Sequence, residues 1–230
     1  MGSDQKNSQV VSQALVDSIS IFISALHHDV SASLRHANGF ASLLLEESQQ
    51  DPTAAAEWSA KIIESSQRGQ DLLGMLTTCM RRALEYNKPE ALGDLQNLVK
   101  PLELLSRVEF SSNGPAYTDP KKLSELYVAL DRSLQLVSSD PQTCVIETRH
   151  LSETGGIQIF GRTQTQQVRR SNVDRFFQPL KFDQGDRTQM RPPLAFKIKI
   201  TAAVLHGDAI AEIDQDGDLL VSVFIPDTPL

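Results

Sequence analysis

Cysteine is scarce in this 230-residue sequence, and the way it is used excludes several kinds of site. Cys79 and Cys144 are the only two cysteines; they form no CxxC pair and have no cluster of metal ligands near them. This usage favours a reducing compartment and argues against a disulfide-rich fold or a zinc site. The hydrophobic content of 40% is ordinary and can build one large core or two smaller ones.

Positive charge is also low. The 22 lysines and arginines are outnumbered by 29 aspartates and glutamates, which gives a net charge of −7. A protein that binds nucleic acid needs clustered lysine and arginine to neutralise the phosphates. We therefore expect no nucleic-acid partner.

Long hydrophobic runs and targeting signals are missing as well. The apolar run at residues 19–26 is far shorter than the roughly 20 residues that span a bilayer. A myristoylation signal has Ser or Thr at the sixth position, which is Lys6 here. The sequence therefore predicts a cytoplasmic protein without a membrane partner.

A long amphipathic helix is the strongest local pattern. Apolar residues recur every three or four positions, which is the helical period. They are Val11, Leu15, Ile19, Phe22, Leu26, Val30, Leu34, Ala37, Phe40 and Leu44. The pattern predicts a helix of more than thirty residues, which ends before Asp51 and Pro52.

A second helix follows at once. Asp51 is suited to the N-cap and Pro52 to the first turn, and apolar residues continue at helical spacing from Trp58 to about Leu84. Two long helices with a short connection form a hairpin. A single hairpin covers only part of its own apolar surface, so we expect residues 11–86 to pair with a second copy in a homodimeric four-helix bundle. Residues 1–10 are polar and predicted to be disordered.

The pattern changes after Pro89. A helix is predicted from Pro120 to about Val137 and another at 194–205, with strands at 144–148, 156–161, 209–213 and 219–225. Residues 87–230 therefore read as a mixed α/β sandwich with helices on one face of a sheet, and the whole chain as α+β.

The pair His28-Asp29 is the leading candidate site. At 100° per residue, His28 lies opposite the apolar sector of the first helix, so it is expected to be exposed. A histidine that carries a phosphoryl group must reach a partner protein and needs a carboxylate that orients its ring. Ordinary surface histidines would give the same pattern. A metal site fits less well, because His27, His28 and His36 do not share one face.

Residues 22–44 resemble the histidine-containing motif of two-component sensor kinases, in which a His-Asp or His-Glu pair is followed by a Gly-Phe or Gly-Tyr. Here the pair is His28-Asp29, and Gly39-Phe40 follows. The resemblance implies that His28 is the phosphoacceptor and that Asp29 orients or deprotonates it. Three positions depart from the motif: Ser31 replaces an Arg, Ala32 a Thr or Asn, and Ser33 a Pro.

The resemblance continues through the second half of the chain. The segment that starts at Asp119-Pro120 looks like the helix with the asparagine motif of the family's ATP-binding domain. Phe176-Phe177-Gln178-Pro179 looks like its phenylalanine motif, and Leu205-His206-Gly207-Asp208 looks like the turn before its last strands. The resemblance therefore implies a histidine-kinase type ATPase fold.

The ATP-binding residues of that family are absent. The two asparagine positions fall on Ala129 and Ser133, and no Asp occurs in Ile159 to Thr163, where the adenine-binding Asp belongs. Proline stands where the glycine-rich lid is expected, at Pro192 and Pro193, and it has no N–H for a phosphate. We therefore expect a degenerate domain that has kept the fold and binds no cofactor.

Two further features are interpreted as structural. The acidic run at 214–218 looks like part of a calcium loop, but it lacks the distal Glu and lies between two strands. His206 lies at a turn.

The sequence therefore predicts a histidine phosphotransfer protein of a two-component relay, similar in plan to dimeric histidine phosphotransferases. His28 would pass a phosphoryl group between receiver-domain aspartates, and the receiver would supply Mg²⁺. The exposed face with Ser31, Ala32 and Arg35 would dock the partner. This would make the chain a phosphotransferase, not an ATP-dependent kinase. Two alternatives stay open: a non-catalytic pseudokinase that regulates a kinase or response regulator by binding, and a kinase with diverged ATP motifs.

Overall fold

Two long helices precede a mixed α/β layer in the computed structural model, which describes residues 13–47, 51–85, 89–112, 114–151, 155–178 and 193–227. The helices are α1 (Gln13–Glu47), α2 (Pro52–Leu84), α3 (Leu95–Val99), α4 (Pro120–Val137) and α5 (Leu194–Val204). The strands are β1 (Glu90–Leu92), β2 (Arg107–Phe110), β3 (Ala116–Thr118), β4 (Val145–His150), β5 (Ile157–Thr163), β6 (Asp208–Ile213) and β7 (Leu219–Ile225). The predicted disorder of residues 1–10 concerns a segment outside the described residues.

The hairpin of α1 and α2 forms as the apolar period predicted. The side chain of Asp51 caps α2, because its carboxylate accepts hydrogen bonds from the backbone N–H groups of Thr53 (2.8 Å) and Ala54 (3.3 Å). The two helices bury a seam between them, which includes Ala37 of α1 and Leu72 and Leu76 of α2. No helix among the described residues is long and apolar enough to cross a membrane.

A five-stranded sheet forms the second layer, in the order β2-β4-β5-β7-β6. The β4–β5, β5–β7 and β6–β7 pairs are antiparallel, whereas β2 and β4 are parallel. The β4–β5 hairpin turns at Gly155 and Gly156, which have φ values of 67° and 136° that glycine adopts without strain. Strands β1 and β3 form a separate two-stranded sheet.

Helix α4 packs its leucines against one face of the sheet. Leu130 and Leu134 lie so close to Gly161 of β5 that a Cβ there would be 2.8 Å from the Leu130 Cδ1 atom. On the same helix, the buried Tyr127 hydroxyl lies 2.7 Å from the Thr148 Oγ1 atom of β4. Burial raises the pKa of Tyr127, although the hydrogen bond with Thr148 lowers it in part, so the phenol stays neutral.

Helix α5 joins the two layers. The Phe196 ring stacks on Phe22 of α1 at a centroid distance of 6.0 Å, and Phe196, Ile200 and Ala83 of α2 form a buried cluster. This contact holds the base of the hairpin. His28 lies six residues beyond Phe22, which is about 9 Å farther along α1.

A buried lysine connects the second layer to the hairpin. Lys122 of α4 is 1% exposed, and its Nζ atom donates a hydrogen bond to the backbone oxygen of Arg82 in the last turn of α2. That oxygen has no partner within the helix, so the ammonium group satisfies it and complements the negative end of the helix dipole. Beside it, Lys197 of α5 lies 3.2 Å from Glu125 of α4.

Candidate functional site

His28 lies on the exposed side of α1, as the helical period predicted. Its side chain is 78% exposed, whereas that of Asp29 is 28% exposed. The His28 Nδ1 atom lies 2.8 Å from the Asp29 Oδ1 atom. The structure therefore brings the two predicted catalytic residues into direct contact.

This contact decides which ring nitrogen is free to react. A carboxylate can only accept a hydrogen bond, so in the neutral imidazole it favours the tautomer with the proton on Nδ1. Nε2 then carries the lone pair and points away from the carboxylate. The pair has the arrangement of a nucleophile that is oriented by a fixed anion.

The predicted docking residues lie on the same face of α1. Ser31, Ala32 and Arg35 fall within about 60° of His28 around the helix axis. Arg35 is exposed, and Ser31 and Ala32 are partly buried. His27 and His36 are also exposed but lie about 100° and 80° from His28 around the axis, so the three histidines do not form a cluster.

Gly69 of α2 lies near this site, although the sequence analysis did not name it as a site residue. A Cβ at Gly69 would lie 3.3 Å from the Ser33 Cβ atom of α1, one turn beyond Asp29. The only sequence signal was the run of small residues Ser65, Ser66 and Gly69, where larger apolar residues were expected.

The residues at the nucleotide positions do not fit a nucleotide. Ala129 is buried and offers no polar group. Ser133 is 2% exposed, and its Oγ atom has no hydrogen-bond partner among the described residues. Its hydroxyl is shorter than an amide side chain and a poor substitute as a Mg²⁺ ligand. Residues 191–192 of the expected lid lie outside the described residues.

Hydroxyl groups form hydrogen bonds at the end of β5, where the family motif has its adenine-binding Asp. Thr163 is fully buried, and its Oγ1 atom donates to the Ser138 Oγ atom at 2.8 Å. Thr165 donates to the backbone oxygen of Val137 at 2.7 Å and pairs with Ser138 as an isolated β-bridge. These groups satisfy one another, so they tie the end of β5 to the C-terminus of α4.

The acidic run at 214–218 binds an arginine of its own chain. The Arg162 Nη2 atom lies 3.1 Å from Asp214, 3.1 Å from Asp216 and 3.0 Å from Asp218. Burial lowers the pKa of Arg162, but the charges of Asp214 and Asp218 outweigh this effect and raise it. The guanidinium thus supplies the positive charge that a calcium ion would bring to such a loop.

His206 has a backbone role. It adopts a positive φ of 62°, in the left-handed region that few residues other than glycine enter. Its backbone N–H donates to the Ala203 oxygen at 3.1 Å, and the next N–H, from Gly207, donates to Ala202 at 2.9 Å. These bonds end α5 and direct the chain into β6.

Comparisons with known proteins give matches at the level of structure. No protein-family model matches the chain, and no curated protein matches its sequence. The full-length structure of ShkA in complex with AMPPNP shares 13% identity and a TM-score of 0.53, over 95% of this chain and 46% of that one. This chain therefore spans about half the length of ShkA.

Two further structures have lower TM-scores. The Acinetobacter baumannii histidine kinase AdeS is 12% identical over 88% of this chain and 98% of its own, with a TM-score of 0.47. The catalytic domain of histidine kinase ThkA is 10% identical over 63% of this chain and 100% of its own, also at 0.47. At such identities a likeness shows the fold alone, and the stronger match, to ShkA, covers both the hairpin and the sheet. The chain has a helical hairpin followed by a mixed α/β sheet domain, and its fold resembles that of a histidine-kinase core with its ATPase domain.

Proposed function

We propose that this chain is a histidine phosphotransfer protein of a two-component relay, in which His28 receives a phosphoryl group from one receiver-domain aspartate and delivers it to another. The observation that supports this proposal most directly is the exposed imidazole with Nδ1 held 2.8 Å from Asp29. The fold supports the same setting, since the hairpin and ATPase-type layer are those of histidine-kinase cores.

The transfer requires little from this chain beyond an oriented nucleophile. The Nε2 lone pair attacks the phosphorus of the acyl phosphate, an Nε2–P bond forms, and the P–O bond to the receiver aspartate breaks. The aspartate leaves as a carboxylate, and the Mg²⁺ of the receiver stabilises the charge on the transferred group. The ring becomes a phosphoimidazolium whose Nδ1–H donates to Asp29, so the carboxylate stabilises the positive charge that develops. The reverse sequence delivers the phosphoryl group.

The source of the phosphoryl group is another protein. Ala129 and Ser133 supply no amide oxygen for a metal ion. Thr163, at the end of β5, already donates its hydroxyl hydrogen to Ser138. With these residues at the nucleotide positions, the chain would not phosphorylate His28 from ATP bound to its own second layer. The ATPase-type layer serves as a support for the base of the hairpin through the Phe22–Phe196 stack.

A second apolar stripe on the hairpin supports a dimer. It lies beside the seam between α1 and α2 and remains exposed in a single chain: Val16, Ile23, Leu34 and Leu45 on α1, and Ile63, Leu73 and Leu84 on α2. A row of exposed apolar side chains along one face of a hairpin is typical of a protein–protein interface. A second hairpin would cover it in a four-helix bundle and leave His28, about 120° away from Leu34 around α1, free for partners.

The double substitution Ile23→Asp and Leu34→Asp is expected to separate the dimer. Each side chain is more than half exposed in one chain, at 57% and 54%, so the change costs little within the chain but places charge in the proposed interface. The dissociation constant should rise at least about 100-fold, or about 3 kcal/mol. Analytical ultracentrifugation over a concentration series measures it.

Leu105→Asp provides the matched control, because Leu105 is 77% exposed and lies outside the hairpin. It should leave the dissociation constant unchanged. A parent protein that sediments as a monomer at all concentrations, or a double variant that dimerises as the parent does, would refute the dimer.

Phosphotransfer is tested with receiver domains from the same genome. Each receiver is labelled with ³²P on its aspartate, freed from nucleotide and mixed with this chain. A cognate receiver should lose its label to the chain, and the new label should be labile in acid and stable in base, as expected of phosphohistidine. A second, unlabelled receiver added afterwards should take the label up. Absence of transfer from every receiver would overturn the proposal.

One observation favours the second candidate, a protein that regulates a kinase or a receiver by binding alone. Ser31, Ala32 and Ser33 replace the Arg, the Thr or Asn, and the Pro that follow the His-Asp pair in the resembling motif. A receiver that binds the chain in a pull-down with the purified proteins, yet transfers no label, would support this candidate over phosphotransfer.

A further inference from the structure

The turn of α1 that carries Asp29 is supported from the side opposite to His28. Ser33 lies one turn further along, is 6% exposed, and donates a hydrogen bond from Oγ to the backbone oxygen of Asp29 at 3.3 Å. Around the helix axis Ser33 lies only about 40° from Asp29, whereas His28 lies about 100° from Asp29 on the other side. Around the helix axis, Asp29 therefore lies between His28, which is exposed, and Ser33, which is buried against α2.

Gly69 of α2 is the residue that meets Ser33. A Cβ at Gly69 would lie 3.3 Å from the Ser33 Cβ atom and 3.9 Å from its Oγ atom. By contrast, a Cβ at Gly74 on the same helix, or at Gly39 on α1, would meet nothing within 4 Å. Of these three glycines, only Gly69 faces the other helix at close range, and it does so at the turn of the His-Asp pair.

This approach restricts the Asp29 side chain. Neighbouring residues of a helix point about 100° apart, so Oδ1 of Asp29 reaches Nδ1 of His28 only in a narrow range of side-chain rotamers. The Asp29 side chain is only 28% exposed, whereas that of His28 is 78% exposed, and this burial reduces the other positions open to the Asp29 carboxylate. A wider gap between α1 and α2 would give the carboxylate room to turn toward α2 and away from His28.

We infer that Gly69 and Ser33 are positioning residues, which hold Asp29 on Nδ1 of His28 by setting the spacing of α1 and α2 at this turn. The inference rests on the proposed function, because the position of Asp29 matters to phosphotransfer only if His28 is the phosphoacceptor. A larger side chain at residue 69 separates the helices at Ser33, releases the carboxylate and leaves the imidazole without a fixed tautomer. Nε2 is then protonated in a larger share of the molecules and cannot attack.

The test is the tautomer of His28, read from ¹⁵N chemical shifts of the histidine-labelled protein above pH 8. In the parent we expect the Nδ1–H tautomer to predominate. In Gly69→Leu the shifts should move to those of free histidine, in which the Nε2–H tautomer predominates, as they should in Asp29→Asn. Transfer from a cognate receiver should fall at least tenfold in Gly69→Leu, with the apparent KM for the receiver unchanged, because the docking residues Ser31, Ala32 and Arg35 keep their side chains.

Gly74→Leu is the matched control, since it makes the same change on the same helix in open space and should leave the tautomer as in the parent. If Gly69→Leu does not fold, Gly69→Ala and Ser33→Ala replace it, with Gly74→Ala as control. The inference fails if the tautomer in the folded Gly69 and Ser33 variants equals that in the Gly74 variants. Because the tautomer is measured without any partner, a shift in the absence of phosphotransfer would overturn the proposed function and not the role of Gly69 in placing Asp29.

Discussion

Replacing His28 with alanine is expected to remove all acid-labile phosphate that the chain accepts from a receiver. The reacting group in the proposed transfer is the Nε2 atom of this one side chain, and alanine offers no nucleophile in its place. The loss should exceed about 1000-fold in the rate of label transfer, which corresponds to about 4 kcal/mol in transition-state stabilisation. The substitution removes an exposed side chain, so the stability of the hairpin should not change.

The neighbouring histidines make this experiment specific. His27 and His36 are exposed on the same helix, so His27→Ala and His36→Ala change the same residue type in the same kind of environment. Both variants should accept label at the parent rate. If His28→Ala retains label while either of the others loses it, the phosphoacceptor has been assigned to the wrong residue.

Asp29→Asn separates orientation from reactivity. The amide can donate a hydrogen bond through its NH₂ group as well as accept one, so it no longer favours the Nδ1–H tautomer, and it carries no charge to stabilise the phosphoimidazolium. We expect a fall of about 100-fold in transfer, between the parent and His28→Ala. A pseudokinase that acts by binding alone would bind its partner equally well with all of these substitutions.

Local patterns made the hairpin and its exposed pair predictable. The 3.6-residue period fixes which face of α1 is buried, and that alone predicted that His28 is exposed. The N-cap at Asp51, the two glycines of the β4–β5 turn and the helix at 120–137 follow from equally local chemistry. The resemblance to sensor kinases then predicted the second layer, and the likeness to ShkA confirms the fold.

Contacts between distant parts of the chain were not predictable. Nothing in the local sequence indicates that Lys122 is buried and bound to Arg82, since lysine is almost always exposed. The pairing of Arg162 with Asp214, 52 positions away, and the parallel pairing of β2 with β4 depend in the same way on the assembled sheet. The small sheet of β1 and β3 was also missed, because three-residue strands carry too little pattern.

Gly207→Ala is expected to be the most destabilising of the small substitutions in the ATPase-type layer. Gly207 is buried between α5 and β6, and a Cβ there would lie 1.9 Å from the backbone oxygen of Phe224. That atom belongs to β7 and cannot rotate away as a side chain can, so the start of β6 must separate from β7 at the Asp208–Phe224 pair. The cost should be about 3 kcal/mol or more, at the upper end of the usual range for overpacking.

Alanine substitutions at two other glycines serve as controls, because they add the same Cβ atom without a steric clash. A Cβ at Gly93 meets nothing within 4 Å, so Gly93→Ala should stay within about 0.5 kcal/mol of the parent. Gly217 also has open space but a φ of 89°, so Gly217→Ala should show backbone strain alone, about 1–2 kcal/mol.

Urea unfolding followed by circular dichroism ranks the three variants by their free energy of unfolding. The fluorescence of Trp58, the single tryptophan, follows the unfolding of the hairpin separately. Because the atoms that a Cβ at Gly207 would meet belong to β7, this variant should lower the midpoint by circular dichroism more than the midpoint by Trp58 fluorescence. A midpoint for Gly207→Ala equal to that for Gly93→Ala would show that β6 is not held against β7 as closely as the structure places it.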